Sequence, residues 1–171
     1  MTRQSLFHDW LTAHRGILVK VARSFARSPG EAMDLRQEML LQLWLALPRF
    51  AGDSQASTFI YRVCLNTALS WKRGAARRED RTADADLAQL SAEAVSPADD
   101  ADRRQLINLL YAAIHQMAEV DRALVLLQLD GLSYREIAEI TGMTENHVGV
   151  ALTRARKKLS ALMKGAVDEV D

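Results

Sequence analysis

The chain has 171 residues, 49% of them hydrophobic and 6% aromatic, with 22 basic and 22 acidic side chains that cancel to zero net charge. That length allows one domain or two small ones with adequate cores, and bulk charge alone announces no nucleic-acid partner. The distribution is more telling: residues 1–78 hold twelve Lys and Arg against five Asp and Glu, residues 79–105 three against eight, and residues 106–171 seven against nine. A basic front, an acidic middle and a mildly acidic end point to a positive face and a solvated spacer. The single cysteine, Cys64, sits inside an apolar helical pattern, the usual place of a core thiol in a reducing cytoplasm. His8, Asp9, His14, Arg15 and Lys20 interrupt the first apolar stretch, so no signal peptide is expected. The run Met39 to Leu47 is too short to cross a bilayer and contains Gln42. A cytoplasmic protein without membrane insertion is the expectation.

In chain order, Leu6, Trp10, Ile17, Leu18, Val21 and Phe25 recur at helical spacing and predict one long amphipathic helix, ended by Ser28-Pro29-Gly30. A second helix is predicted from about Ala32 to Leu47, stopped by Pro48. Its apolar face is Leu35, Met39, Leu43 and Leu47, which leaves Asp34, Gln37, Glu38 and Gln42 elsewhere. Phe50 to Ser54 reads as a loop. A third helix is predicted from about Ser57 to Arg73 or further, with Phe59, Ile60, Val63, Cys64, Thr67, Ala68 and Trp71 inward. From Arg77 to Asp102 the chain turns to Ala, Asp, Glu and Ser and lacks aromatic residues, the composition of a linker with a short helix around Leu87 to Ala94. Helices at Arg103–Gln116 and Asp121–Leu129 follow, and Gly165 to Asp171 reads as a frayed acidic tail. No strand pattern and no repeat is visible. The fold class expected is therefore all-α: two small helical domains, 1–78 and 105–171, joined by a flexible acidic linker, 79–104.

The last third carries the most specific local chemistry. Ser133 followed by Glu136 is a capping box that starts a helix. Ile137, Ala138 and Ile140 supply its buried face, and Gly142 suits the left-handed turn that ends it. Thr144 then caps a second helix whose inner face is Val148, Ala151, Leu152, Ala155 and Leu159 and whose end is basic. A helix, a tight turn and a second helix with cationic side chains form the grammar of a helix-turn-helix DNA reader. The third helix offers a different surface. Arg62, Asn66, Ser70, Lys72, Arg73, Arg77 and Arg78 lie among Phe59, Tyr61 and Trp71, and cations beside aromatic rings suit a partly single-stranded nucleic acid. The competing reading of the same residues is a solvated face over core aromatics. His8, His14, His115 and His147 show no ligand spacing, and no phosphate loop or nucleophile motif appears. No enzyme activity, metal or cofactor is therefore expected.

The order Asp34-Leu35-Arg36-Gln37-Glu38, Leu43-Trp44, Arg49 to Ser54, Thr58 to Val63 and Asn66-Thr67-Ala68 resembles domain two of bacterial sigma factors. The group most similar is the small extracytoplasmic-function (ECF) sigma factors. Gly131 to Ala138 and Arg154 to Leu159 resemble sigma domain four. The resemblance implies a factor that binds core RNA polymerase and directs promoter recognition, melting and transcription initiation. Asp34, Gln37, Glu38 and Gln42 would then meet the polymerase clamp helices. Phe50 and Asn66 would hold an extruded base of the minus-ten element, with Arg62, Lys72, Arg73, Arg77 and Arg78 on the DNA. The second helix of the helix-turn-helix would enter the major groove of the minus-thirty-five element through Thr144, Glu145, Asn146, His147, Val150, Thr153 and Arg154. Arg156, Lys157 and Lys158 would anchor phosphates or face the polymerase flap. The resemblance further implies an anti-sigma factor as a partner. Two departures stand out: Gly149 and Ala151 occupy places where the family usually has basic residues, which predicts weaker or altered minus-thirty-five reading. The rival readings are a stand-alone helix-turn-helix regulator on duplex operator DNA and a helical adaptor that binds protein only.

Overall fold

The computed structural model describes residues 2–79 and 100–168, with side chains described for 2–74 and 101–166. Seven helices make up these residues: α1 (Arg3–Phe25), α2 (Pro29–Ala46), α3 (Ala56–Glu79), α4 (Asp100–His115), α5 (Glu119–Leu129), α6 (Tyr134–Thr141) and α7 (Glu145–Asp168). A 3-10 turn, Leu47–Arg49, follows α2 and absorbs Pro48. No strand occurs among the described residues, and no helix among them is long and apolar enough to cross a membrane. The all-α class is as expected. Residues 80–99, and with them the short helix anticipated at Leu87 to Ala94, lie outside the described residues. Helix α4 begins at Asp100 and so takes in residues 100–104 of the anticipated linker. Helix α7 runs through Asp168, so the frayed tail anticipated from Gly165 begins as helix.

Local chemistry explains the early start of α2. The Ser28 side chain accepts a 3.1 Å hydrogen bond from the Glu31 backbone N–H, and Pro29 occupies the first helical position. Glu31 reaches back to accept from the Arg27 N–H at 2.7 Å. The Ser-Pro-Gly sequence that ends α1 therefore also caps α2, which starts before the anticipated Ala32.

Helices α1, α2 and α3 pack against one another around Trp10, Leu18, Val21, Phe25, Leu35, Met39, Leu43, Ile60 and Cys64, all buried. The inward faces anticipated for α1 and α2 are the observed ones. Helix α3 also buries Tyr61 and Leu65, because it meets α1 and α2 in its own module and α6 in the other.

The two modules do not hang apart in this arrangement. Leu124, Leu127, Ile137 and Ile140 of the second module belong to the same buried cluster as the core of the first. Polar contacts stitch the seam at the C-terminal end of α1, where the last carbonyls of a helix lack partners of their own. Arg122 Nη1 donates to the Ser24 carbonyl at 3.1 Å, and His115 Nε2 lies 2.8 Å from the Arg23 carbonyl. Arg23 donates to Asn108 at 2.8 Å and lies over the Tyr111 ring at 4.0 Å. Lys20 pairs with Asp130, and Lys72 approaches Glu119 at 4.0 Å.

Candidate nucleic-acid interface

The helix-turn-helix is built as its local chemistry dictates. Ser133 Oγ accepts from the Glu136 N–H at 3.3 Å, and Glu136 Oε2 accepts from the Ser133 N–H at 2.7 Å, completing the capping box. The Ser133 N–H first, and then its hydroxyl, hold the Glu136 carboxyl below the ordinary carboxylate range. Gly142 adopts φ 75° and donates its N–H to the Ala138 carbonyl at 2.9 Å, ending α6. Thr144 Oγ1 accepts from the His147 N–H at 3.2 Å and starts α7.

With Val148, Ala151, Leu152 and Ala155 buried, Thr144, Glu145, Asn146, His147, Val150, Thr153, Arg154, Arg156 and Lys157 all lie exposed at the start and along the outer face of α7. The structure thus brings the whole anticipated duplex-reading set to one side. Its members differ in availability. The Thr144 hydroxyl serves the cap, and Thr153 Oγ1 donates to the Gly149 carbonyl at 2.9 Å. Lys158 is ion-paired with Asp121. Arg156 is tethered to neutral acceptors, Gln128 and Tyr134. Ala151 is buried, so the lack of a charge there removes nothing from the outer face.

On the first module, Asn66 is exposed and its amide forms no hydrogen bond with the described residues. It lines a cleft of about 630 Å³ between α2 and α3, together with Glu38, Gln42, Ser70 and Trp71. Gln42 Nε2 donates to Glu38 Oε1 at 2.8 Å. The four anticipated polymerase contacts therefore divide: Glu38 and Gln42 turn into the Asn66 cleft, while Asp34 and Gln37 point outward. Sequence reasoning missed their outward neighbours Met33, Leu41 and Leu45, which are 54%, 50% and 54% exposed. The available signal was a second apolar stripe at i, i+4 spacing on a helix whose core stripe was already complete.

Phe50, Phe59 and Tyr61 turn inward, whereas Trp71 lines the Asn66 cleft. Phe50 meets Trp10 edge-on at 4.8 Å and Phe59 at 5.2 Å, so its ring is held in an aromatic cluster and does not line the Asn66 cleft. Tyr61 is 2% exposed, and Trp71 Nε1 donates to Glu31 at 3.1 Å. Arg62 is half-buried, while Arg73 is exposed beside Ser70 at 3.4 Å. Lys72 faces the second module; burial first, and then the neighbouring Arg122, lower its pKa. Arg77 and Arg78 lie on the last turns of α3, with side chains outside the described residues. Cys64 is fully buried and its thiol is pushed up to about 12 by burial, the chemistry of a packing residue.

A helical module with a cleft, joined to a helix-turn-helix with an exposed polar and basic face, has the architecture of a helix-turn-helix DNA-binding protein. Comparison with known proteins sharpens the class. Residues 10–78 match the family description "Sigma-70 region 2", and residues 107–159 match "Sigma-70, region 4". The chain is 28% identical over 165 residues to the RNA polymerase sigma-H factor of Pseudomonas aeruginosa, covering 90% of this chain and 82% of that protein. It is 30% identical over 139 residues to the ECF RNA polymerase sigma-E factor of Escherichia coli K12, covering 76% and 72%. Among solved structures it is similar to the sigma factor RpoE of Bartonella quintana, in complex with the anti-sigma factor NepR. The TM-score is 0.71, with 23% identity over 92% of this chain and 96% of that one. It is also similar to CnrH in complex with the cytosolic domain of CnrY, with TM-score 0.66, 24% identity and 95% and 90% coverage. The chain belongs to the sigma-70 family, in its ECF group, and is a sigma factor that directs transcription initiation. The stand-alone regulator is not favoured.

Proposed function

We propose that residues 1–78 form the module that docks on the polymerase clamp and holds the minus-ten element, and residues 105–171 the module that reads the minus-thirty-five duplex, with 79–104 joining them. The outward face of α2, Asp34 and Gln37 with Met33, Leu41 and Leu45, docks on the polymerase, and Glu38 and Gln42 border the Asn66 cleft. Asn66 reads an unstacked minus-ten base through its amide. Phe50 anchors the loop beside this face, and Arg62, Lys72, Arg73, Arg77 and Arg78 hold the DNA backbone. On α7, Asn146, His147, Glu145 and Val150 meet base edges, with Thr144, Thr153, Arg154, Arg156 and Lys157 around them. The carrying observation is the Asn66 amide, exposed and without a hydrogen-bond partner among the described residues, on the wall of a polar cleft.

Elements named for positions ten and thirty-five are separated by about 25 base pairs, roughly 85 Å of duplex at about 3.4 Å per step. A compact chain of this length has a radius of gyration of about 16 Å, so the two modules must part to hold both elements. A regulator that keeps them together would silence the factor. An anti-sigma factor is that partner, and the bound anti-sigma proteins of the similar structures support this reading. The chain works beside the polymerase in the cytoplasm and contributes recognition rather than catalysis.

The test reconstitutes core polymerase, the chain and a promoter fragment. Asn66→Ala is expected to lower open-complex formation about 5- to 150-fold, the weight of one good base contact, with core binding unchanged. Gln37→Ala combined with Leu41→Ala is expected to weaken core capture first. Equal loss of core binding and melting in a folded Asn66→Ala chain would remove Asn66 from base reading.

A further inference from the structure

Gly149 is half-buried on a flank of the recognition helix, with nothing in its own conformation that demands glycine. A side chain from another helix, however, approaches it closely. A Cβ at this position would lie 3.3 Å from Cε2 and 3.7 Å from Cδ2 of Tyr134. The ring of Tyr134, the first residue of α6, therefore rests against the bare backbone of α7. Its hydroxyl accepts a hydrogen bond from Arg156 Nη2 at 3.3 Å, and Arg156 Nε donates to Gln128 Oε1 at 2.7 Å. Gln128 belongs to α5, Tyr134 to α6 and Arg156 to α7, so one guanidinium is oriented by both other helices of this part of the module.

Neither of those acceptors is a carboxylate. Two nearby cations differ: Lys158 is paired with Asp121, and Arg135 with Glu139 at 3.6 Å. Among the described residues, Arg156 is thus held without a carboxylate partner. Its place on the helix matters as much. Gly149 and Arg156 lie two turns apart on one flank of α7, while Asn146, Val150, Thr153 and Lys157 run along the centre of the exposed face. A helix about 10–12 Å across fills a major groove about 12 Å wide, so its centre meets base edges and its flanks meet the phosphate walls. A planar, oriented guanidinium on a flank is suited to a phosphate oxygen.

We propose that Tyr134 is a positioning residue of the duplex-reading module: seated on the backbone of Gly149, it holds Arg156 toward a phosphate at the groove wall. Glycine at 149 is the seat that admits the ring, rather than merely a lost contact. The inference rests on α7 being the promoter-reading helix.

The experiment measures binding of the full chain, assembled with core polymerase, to a promoter fragment over a range of salt concentrations. Arg156→Ala should lower affinity and reduce the slope of log affinity against log salt by about 0.9, one phosphate contact. Tyr134→Phe, which keeps the ring and removes the hydroxyl, should weaken binding several-fold in the wild-type background and not at all in the Arg156→Ala background. Gly149→Ala, whose Cβ would meet the half-exposed ring at 3.3 Å, should shift it by a few tenths of an ångström from its seat and weaken binding in the same direction. Its melting temperature should not fall, since alanine is the better helix former. A merely structural role predicts the opposite split for Gly149→Ala, a stability change with unchanged DNA affinity. Wild-type affinity in Tyr134→Phe and Gly149→Ala, additive losses in the double variant, or an unchanged slope in Arg156→Ala would each overturn the proposal. If the wild-type chain itself forms no polymerase-dependent promoter complex, the failure lies instead with the reading of α7.

Discussion

Replacing Arg122 by methionine probes the seam between the modules. Arg122 is 3% exposed. Besides the 3.1 Å bond to the Ser24 carbonyl, it donates to the His115 carbonyl at 2.7 Å and the Met117 carbonyl at 3.0 Å, and lies 5.3 Å from the Phe25 ring centre. Two of the three bonds close the corner between α4 and α5, and the third caps α1 across the seam. Hydrogen bonds from a charged donor are worth about 1.5–3 kcal/mol each, but burial of the cation offsets part of their sum. The same burial lowers the Arg122 pKa. Methionine keeps most of the stem and opens little cavity, so the net loss is expected at about 2–4 kcal/mol. At about 2–4 °C per kcal/mol for a chain of this size, the melting temperature should drop by about 5–15 °C. Small-angle scattering should show expansion beyond the compact radius of about 16 Å. Wild-type melting and an unchanged radius would refute the reasoning. A drop in melting without expansion would confine Arg122 to the α4–α5 corner and remove it as a fastener between modules.

Three further outcomes are expected. Burial first, and then the nearby cations Arg122, Lys72 and Arg23, lower the His115 pKa against an opposing bond to the Arg23 carbonyl. Between its ordinary value of 6.5 and the lower folded one, the unfolded chain binds the proton more readily, so this histidine's contribution to stability declines as pH falls through that window. Urea unfolding at about pH 7.5 and 5.5 should show that pH dependence in the wild type and a smaller one in His115→Gln. Cys64, with its thiol at about 12, should react with iodoacetamide at about pH 8 on the order of a thousandfold more slowly in the folded chain than after unfolding; comparable rates would contradict its burial. Gly142→Ala forces a side chain into a φ of 75°, and the expected cost of about 1–2 kcal/mol is read by chemical denaturation.

What was legible in the sequence was local. The Ser133–Glu136 capping box, the Gly142 turn and the inner face of α7 are fixed by residues within a few positions of one another, and each is observed as anticipated. The core stripes of α1 and α2 were legible for the same reason. What escaped was set by partners distant in the chain. Tyr61 is part of a wide apolar band that α3 needs because it meets helices from both modules, and spacing along α3 alone does not give that width. The aromatic cluster of Trp10, Phe50 and Phe59 joins three separate segments, so spacing within any one of them does not place the half-buried Phe50 ring there. The approach of Tyr134 to Gly149 comes from another helix, so spacing along α7 alone does not show it.

The charge segregation visible in the sequence acquires a second meaning at the seam. The positive first module meets the acidic side chains of the second through Lys20 with Asp130 and Lys72 with Glu119. Lys72 is one of the cations proposed for the DNA backbone, so module packing and promoter binding compete for the same charge. Salt acts on both in one direction, since it screens exposed ion pairs and phosphate contacts alike. The Arg122 bonds to buried carbonyls are screened far less. Lys72→Ala should therefore weaken promoter binding and loosen the packed arrangement only slightly, whereas Arg122→Met should loosen the arrangement strongly without removing a DNA contact. Scattering and promoter binding, measured on both variants, separate the two roles: a Lys72→Ala chain that expands as much as Arg122→Met would mean that ion pairs, not the buried guanidinium, hold the modules together.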